Sequence, residues 1–492
     1  MKQSLTLTLM LTALAATVQP VSAQRKIQRP NIVFMLSDDQ NWNGTSVAMH
    51  PEIPWSKSDV IQTPWLEKLA AQGMRFSAAY APGSVCSPTR CSLQLGMSPA
   101  QTGWTKAGPP VRAADGYKLI APRIRKSLDP STTTIAELLR EAGYATAHYG
   151  KWHLSGGGPG QHGYDHDDGD NGNEYAHRFG DPNPADIFGM AERTAAFMEK
   201  SKLAGKPFFI QMSWHALHAP QNALKKTLAK YQKLGGFRNQ KSLGTAAITE
   251  DLDTGVGMVL QAIDRLGLTD NTFVIYMSDN GGGGGGKRSR LNGGKGSVWE
   301  GGIRSPLIVR GPGVEAHSWC HTRVVGFDFF PTFCKWARIP AAKLPKRLEG
   351  GSIAGLLAND GRGQVQRPRN ELVFHFPHYQ SGDGPHTALM LGNLKLMKFY
   401  EDNRLALFDL SRDIQEQNDL SRDRPRDVEK LHGLLKDYLA DVGAKLPTAN
   451  PQYDPENPPV ARKRGKRGGG KKGKDGQGSG GKGGGKKRRT AE

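Results

Sequence analysis

Cysteine is scarce, with 4 in 492 residues, which excludes a small fold held together by disulfides. Cys320 and Cys334 are free to pair in an oxidising compartment, whereas Cys86 and Cys91 belong to a segment with a chemical reading of its own. Long apolar runs are also rare. Leu5 to Val18 is one, but it is shorter than the ~20 residues a helix needs to cross a bilayer. With Lys2 before it and Val21-Ser22-Ala23 after it, it reads as an export signal (1–23) cleaved after Ala23. No later segment is long and apolar enough to span, so the expectation is a protein with no transmembrane span, periplasmic or secreted. Acidic residues are outnumbered, 46 against 66 Lys+Arg, for a formal charge of +20. The excess is local: residues 461–492 hold 13 Lys/Arg and 2 Asp/Glu, leaving the rest only mildly basic. That excludes a uniformly basic nucleic-acid-coating protein. The basic stretch also lacks the aromatic side chains that stack on bases, so no nucleic acid is expected as a partner. Having too few apolar side chains to offset the entropy of ordering, residues 446–492 read as a disordered Gly/Lys/Arg-rich tail, at most an electrostatic tether for polyanions.

What is present is an alternation of strands and helices. Asn31–Leu36 is a continuous apolar run, as in a central parallel strand buried on both faces. Further strands are predicted at 144–149, 207–213, 272–277 and 306–309, and helices at 63–72, 132–142, 191–200 and 243–266. This pattern predicts an α/β fold over 24–365, with a large mixed, mostly parallel sheet flanked by helices. After about residue 365 the strands become short and closely spaced, with turns at Gly392-Asn393 and Asp402-Asn403. They are followed by an apolar stripe of Val428, Leu431, Leu435, Leu439 and Val442. Residues 366–445 therefore read as a small C-terminal antiparallel-sheet subdomain with one helix.

Open α/β sheets bind ligands beyond the carboxyl ends of their strands, and the predicted strand ends carry a consistent set of side chains. They are Asp38 and Asp39, Lys151 and His153, His215 and His218, and Asp279 and Asn280, with Lys295 in the glycine-rich stretch that follows. The Lys295 loop is not a Walker loop, because Gly296 follows the lysine in place of Ser or Thr. Asp165–Asn173 has the composition of a calcium loop but no register of an EF-hand, which leaves a solvated turn and a substrate-pocket loop both open. Three carboxylates and the Asn280 amide oxygen suit Ca²⁺ or Mg²⁺ better than zinc. Lys151, Lys295 and Arg90 would turn such a centre net positive, suiting a tetrahedral oxyanion such as sulfate or phosphate.

Cys86-Ser87-Pro88-Thr89-Arg90 resembles the C-x-P-x-R signature of the type I sulfatases, whose cysteine is oxidised to formylglycine during export. Gly143–Thr146 through Gly150–His153, Asp38-Asp39, Asp279-Asn280, Lys295 with Trp299–Arg304, and Leu407–Leu410 through Asn418–Leu420 fall in the same family's order. The resemblance spans roughly residues 30–445. Thr89 stands where Ser is commoner and Leu95 where Thr is usual. It implies an alkaline-phosphatase-like fold and a sulfuric ester hydrolase using Ca²⁺ (or Mg²⁺) and formylglycine made from Cys86. The partner implied is a formylglycine-generating or anaerobic sulfatase-maturating enzyme. By matching position, Asp38, Asp39, Cys86, Asp279 and Asn280 would hold the metal. Asp279 would help deprotonate the attacking hydroxyl, Arg90 would hold the hydrated residue 86, and Lys151 and Lys295 would bind sulfate oxygens. His218 would protonate the leaving alcohol and His153 would assist sulfate release, with His215 behind them. A hydrated aldehyde has one hydroxyl to attack sulfur and another to expel sulfate, which a thiol lacks. His375 and His378 are candidates for contacting a sulfated carbohydrate, with a packed strand end as the competing reading. The alternatives are a hydrolase of small aryl or phosphate esters and, with Cys86 unmodified, a non-catalytic sulfated-glycan-binding protein.

Overall fold

The computed structural model describes residues 29–283, 290–380 and 382–459; the predicted export signal at 1–23 and most of the predicted tail lie outside the described residues. One sheet contains β1 (Asn31–Ser37), β2 (Met74–Phe76), β3 (Ala145–Gly150), β4 (His166–Asp167), β5 (Phe208–Ser213), β6 (Thr272–Ser278), β7 (Leu307–Arg310) and β8 (Ser318–Cys320). Their spatial order is β8-β2-β7-β6-β1-β5-β3-β4. Only β7 runs antiparallel to its neighbours, so the sheet is mixed but mostly parallel, as expected.

The apolar run of β1 is buried at every position, and alternation explains its composition. Val33 and Met35 enter a core shared with α1 (Pro64–Ala71), α4 (Ile187–Leu203) and α5 (Gln240–Arg265), counting α2 (Cys86–Leu95) and α3 (Ile135–Glu141) between them. Ile32, Phe34 and Leu36 enter the opposite core with α2, α3 and α6 (Phe329–Trp336). Both faces of the strand therefore demand apolar side chains. All ten residues of the α2 helix are buried, the polar ones included, so it turns no side to solvent. Gly96 ends it in the left-handed region at φ 67°, where a Cβ would press on Leu348 and Phe330.

The C-terminal unit is an antiparallel sheet of β9 (Leu372–Phe376), β10 (His386–Leu391), β11 (Leu394–Phe399) and β12 (Leu405–Asp409), then α7 (Pro425–Asp441). The predicted stripe on α7 packs on one face against Val373, Leu389, Leu396 and Leu407. The other face, with Phe374, Met390 and Phe408, packs against Tyr80, Val298 and Ile303 of the large unit. The tail expectation fails at its start. Thr448–Ala449 pairs antiparallel with Leu119–Ile120, and the Asn450 amide donates to the Ala113 and Tyr117 carbonyls at 3.0 and 2.7 Å. Backbone pairing and a buried asparagine hold this stretch although it carries few apolar side chains. Cys320 and Cys334 do not pair; all four cysteines are free and buried.

Candidate active site

Parallel registration of β6, β1, β5 and β3 brings their carboxyl ends to one level, Ser37 facing Ser278, Leu36 facing Ser213, and Gly150 facing Ser213. The chain leaves each strand directly into the site. Asp38 follows β1 and is fully buried, while Asp39 turns into the left-handed region at φ 63° and donates its N–H to Asp279 Oδ1 at 3.2 Å. Such a backbone for a non-glycine residue is costly and occurs where a side chain must be aimed. Lys151 follows β3 and is wholly buried against Asp38. Arg90, one turn into α2, donates from Nε and Nη2 to Asp279 Oδ2 at 3.1 and 2.7 Å and from Nη1 to the Lys151 carbonyl at 2.6 Å. The Lys295 ammonium sits 2.6 Å from Asp39 and 3.4 Å from Cys86 Sγ.

Cys86 opens α2, and its thiol donates to Asp38 Oδ1 at 3.3 Å. The Thr89 hydroxyl bonds to both the N–H and the carbonyl of Gly83, so threonine serves as loop anchor here. Ligand atoms of Asp38, Asp39, Cys86 and Asp279 all lie within 4.8 Å of one another. The Asn280 amide donates to Asp39 Oδ1 at 2.8 Å, which leaves its own Oδ1 buried without a hydrogen-bond partner. Converging hard oxygens and an orphaned amide oxygen fit a divalent cation.

The electrostatics follow from crowding in a dry place. Burial would raise the Asp38 carboxyl, but Lys151, Arg90 and Lys295 outweigh it and hold it well below the usual range. Burial and the nearby Asp38 charge push Asp279 up to about 6. Burial, then the Asp38 charge, drives the Cys86 thiol far above its ordinary value, so as a thiol it is no nucleophile at neutral pH. Burial, followed by Lys151 and Arg90, lowers His153 to about 2. Burial lowers His218 as well, and its Nδ1–H is fixed on the Ala219 carbonyl at 2.8 Å.

Asp165–Asn173 is neither a free turn nor a pocket wall. Asp168 accepts from the Gly150 N–H at 2.7 Å, Asn171 Oδ1 accepts from the Trp152 N–H at 3.2 Å, and the Asn171 carbonyl accepts from the His153 N–H at 2.8 Å. The tract splints the backbone that carries Lys151 and His153. His215 is buried under Tyr175 with both ring nitrogens unpartnered.

His375 and His378 are not brought to the site. His375 is buried in β9 with its nitrogens on Thr387 Oγ1 and the Lys445 carbonyl, and His378 is buried against Thr105 Oγ1. The competing reading, a packed strand end, describes them. The C-terminal unit contributes Gln380 instead, to a cavity of about 420 Å³ also lined by Asp39, Asn41, His218, Gln221 and Lys295. Sequence reasoning missed Asn41, Gln221 and Gln380. Single amides in loops carry no spacing signal, although the position of Asn41 just after the Asp38-Asp39 pair is a clue.

A mixed sheet that gathers three acids, three bases and a candidate cation site at its strand ends defines a hydrolase of tetrahedral-oxyanion esters. Residues 30–339 match the family model described as Sulfatase, and residues 294–445 match that described as N-sulphoglucosamine sulphohydrolase, C-terminal. The chain belongs to the sulfatase family and is a sulfuric ester hydrolase. It is 29% identical to a protein named Sulfatase from Formosa agariphila, covering 81% of this chain and 85% of that one. To arylsulfatase A of Homo sapiens it is 29% identical over 71% of each. To N-acetylgalactosamine-6-sulfatase of Rattus norvegicus it is 30% identical over 62% of this chain and 61% of that one. Among solved structures it shares the fold of Ps i-CgsB in complex with k-i-k-neocarrahexaose, with TM-score 0.69 and 22% identity over 87% of this chain and 95% of that one. It also shares the fold of BT4656 in complex with its substrate D-Glucosamine-2-N, 6-O-disulfate, with TM-score 0.65 and 20% identity over 85% and 98%.

Proposed function

We propose that this exported chain removes sulfate from a sulfated carbohydrate, using formylglycine at position 86 and one divalent cation, Ca²⁺ or Mg²⁺. The observation that carries the reading is the meeting of Asp38, Asp39, Cys86 and Asp279 within 4.8 Å of one another, interleaved with Arg90, Lys151 and Lys295. Held by those three carboxylates, Asn280 and residue 86, a divalent cation would supply positive charge and acidify a hydroxyl beside it. Hydrated formylglycine supplies two hydroxyls on one carbon, one to attack sulfur and one to expel sulfate as the carbonyl re-forms. The buried, un-ionised thiol supports this oxidised side chain in place of cysteine itself. Because Cys86 and the whole of α2 are buried, a maturating enzyme would act before the chain folds.

The chain's own groups divide the remaining work. Arg90 fixes Asp279 and the Lys151 carbonyl together, so α2 and the β3 end keep one geometry. Lys151 and Lys295 would bind the non-bridging sulfate oxygens, replacing water by fixed positive charge. His218, tethered through Nδ1, has Nε2 to carry a proton to the leaving oxygen, and His153 would assist sulfate release. A sugar as leaving group is supported by the cavity lining. Beside Leu217, Ala219 and two glycines, its described residues are three amides, Thr245 and the polar Asp39, His218, Lys241 and Lys295, which can hydrogen-bond sugar hydroxyls. The name of one relative, N-acetylgalactosamine-6-sulfatase, points the same way, while that of another, arylsulfatase A, names the aryl class that the test below includes.

The test is the mass of the tryptic peptide bearing residue 86 from the native host, together with turnover of a panel of sulfated sugars and one aryl sulfate. An aldehyde peptide and faster release from a sugar are expected. An unmodified thiol would overturn the formylglycine reading, and activity confined to the aryl ester would overturn the carbohydrate one.

A further inference from the structure

The cavity beside Lys295 contains a cation that cleavage of a single sulfate ester leaves unused. Its lining includes Lys241 and Thr245 from the first turns of α5 as well as Asp39, His218 and Lys295. Asp39 is the one carboxylate among the described lining residues, and it is already held by Lys295 at 2.6 Å. Lys241 is exposed and has no carboxylate partner among the described residues. Its backbone is held in place. The Thr245 hydroxyl donates to the Lys241 carbonyl at 2.8 Å, and the Asn239 side chain caps the helix by accepting from the Ser242 N–H at 2.9 Å. The positive end of a 26-residue helix adds to the ammonium's field. Across the lining, Gln221 spends one N–H on the Leu217 carbonyl at 3.2 Å and keeps its amide oxygen for a hydroxyl. The cavity thus has two cationic side chains, one balanced and one not, separated by neutral hydrogen-bonding groups.

We propose that the substrate carries a second anionic group besides the sulfate being cleaved, and that Lys241 is the specificity-determining residue that binds it. The group is a further sulfate or a uronic carboxylate; both present oxyanions to an ammonium. The inference rests on the sulfatase reading and narrows its substrate class to doubly anionic sugars.

The experiment uses the full, matured, metal-loaded chain and three matched oligosaccharides: singly sulfated, doubly sulfated, and singly sulfated with a uronic acid. Wild type should favour at least one doubly anionic sugar in kcat/KM, mainly through KM. Lys241→Ala should shrink that preference about tenfold or more, the scale of one charge-assisted hydrogen bond, and Lys241→Arg should restore most of it. Which doubly anionic sugar is preferred identifies the source of the charge. Equal kcat/KM for all three in wild type, or a preference untouched by Lys241→Ala, overturns the inference. A parallel calorimetric titration of the same sugars into the Cys86→Ala chain separates the two failures. Binding that depends on Lys241 without turnover in the matured enzyme upholds the subsite and defeats the proposed carbohydrate-sulfatase reading, and binding indifferent to Lys241 defeats the subsite.

Discussion

Two buried clusters of acids and bases can be set side by side. At the strand ends, Asp38, Asp39 and Asp279 face Arg90, Lys151 and Lys295. Where the C-terminal sheet meets the large unit, Lys395 of β11 lies 2.9 Å from Glu300 and 2.7 Å from Glu416, while Arg304 Nε donates to Glu300 at 2.7 Å. The ingredients match and the outcomes differ. At the junction Tyr80 donates to Glu300 Oε2, the Glu300 N–H donates to Glu416 Oε2, and the acids and bases meet one another across the two units. At the strand ends like charges are forced together, an amide oxygen is left unpartnered, and the Asp39–Lys295 side faces a cavity. A satisfied cluster welds two units, and an incompletely satisfied one is prepared to bind. The Trp299–Arg304 motif that followed Lys295 in the family order thus serves the weld: Glu300 and Arg304 hold the C-terminal unit in place.

The comparison can be broken most directly at the strand ends. Lys151→Ala should lower turnover by roughly 10²–10³-fold or more, as loss of a preorganised charge does, with the circular-dichroism spectrum retained. Near-native kcat would remove Lys151 from the chemistry. Chelation of divalent ions should abolish turnover, Ca²⁺ or Mg²⁺ should restore it, and re-addition should raise the melting temperature by mass action. A chelated enzyme of full activity and unchanged melting point would mean the acids gather for another reason. At the junction the effect should fall on stability. Lys395→Met takes the ammonium from Glu416 and leaves Glu300 with Arg304 and Tyr80, and should cost about 3–5 kcal/mol in denaturant titration; no measurable loss would show that the weld is dispensable.

The smallest effect sharpens the picture. Burial, with the Glu300 charge acting against Lys395, pushes Glu416 up to about 7 from an ordinary 4.5. Between those values the native state holds a proton that the unfolded state has released, so rising pH erodes stability there, and above about 7 the loss is complete. Glu416→Gln removes that slope. Its melting temperature relative to wild type should therefore climb as pH rises from about 5 to 8, and a gap constant with pH would refute the assignment.

Legibility in the sequence tracked the range of the determining interaction. The strands around Asn31, Phe208 and Thr272 and the stripe on α7 were readable because burial of both faces of a strand demands a short continuous apolar run, and burial of one face of a helix a periodic stripe. The acids and bases at strand ends could be collected because the sheet is parallel and its ligands gather at one edge. The α2 helix was not predicted, since Cys86–Leu95 is buried throughout yet mixes polar with apolar side chains. His375 and His378 looked functional from their neighbours in sequence, yet Thr387, Lys445 and Thr105, all distant in the chain, absorb them. The Asp165–Asn173 tract could be read as a solvated turn or a substrate-pocket loop, and its role as a splint emerges only where it lies against Gly150–His153.

By itself the amino-acid order determined the alternation of strands and helices, the turn-rich C-terminal sheet, and which side chains stand at the strand ends, because each of these is written in patterns a few residues long. Tertiary structure alone decided that Asp38, Asp39, Cys86 and Asp279 share one small volume. It also decided that Lys395 serves the junction and not the cavity, and that Gln380 and Lys241 share the cavity lining. These are contacts between segments tens to hundreds of residues apart. Their geometry is set by sheet register and by the packing of two units, which no local pattern encodes.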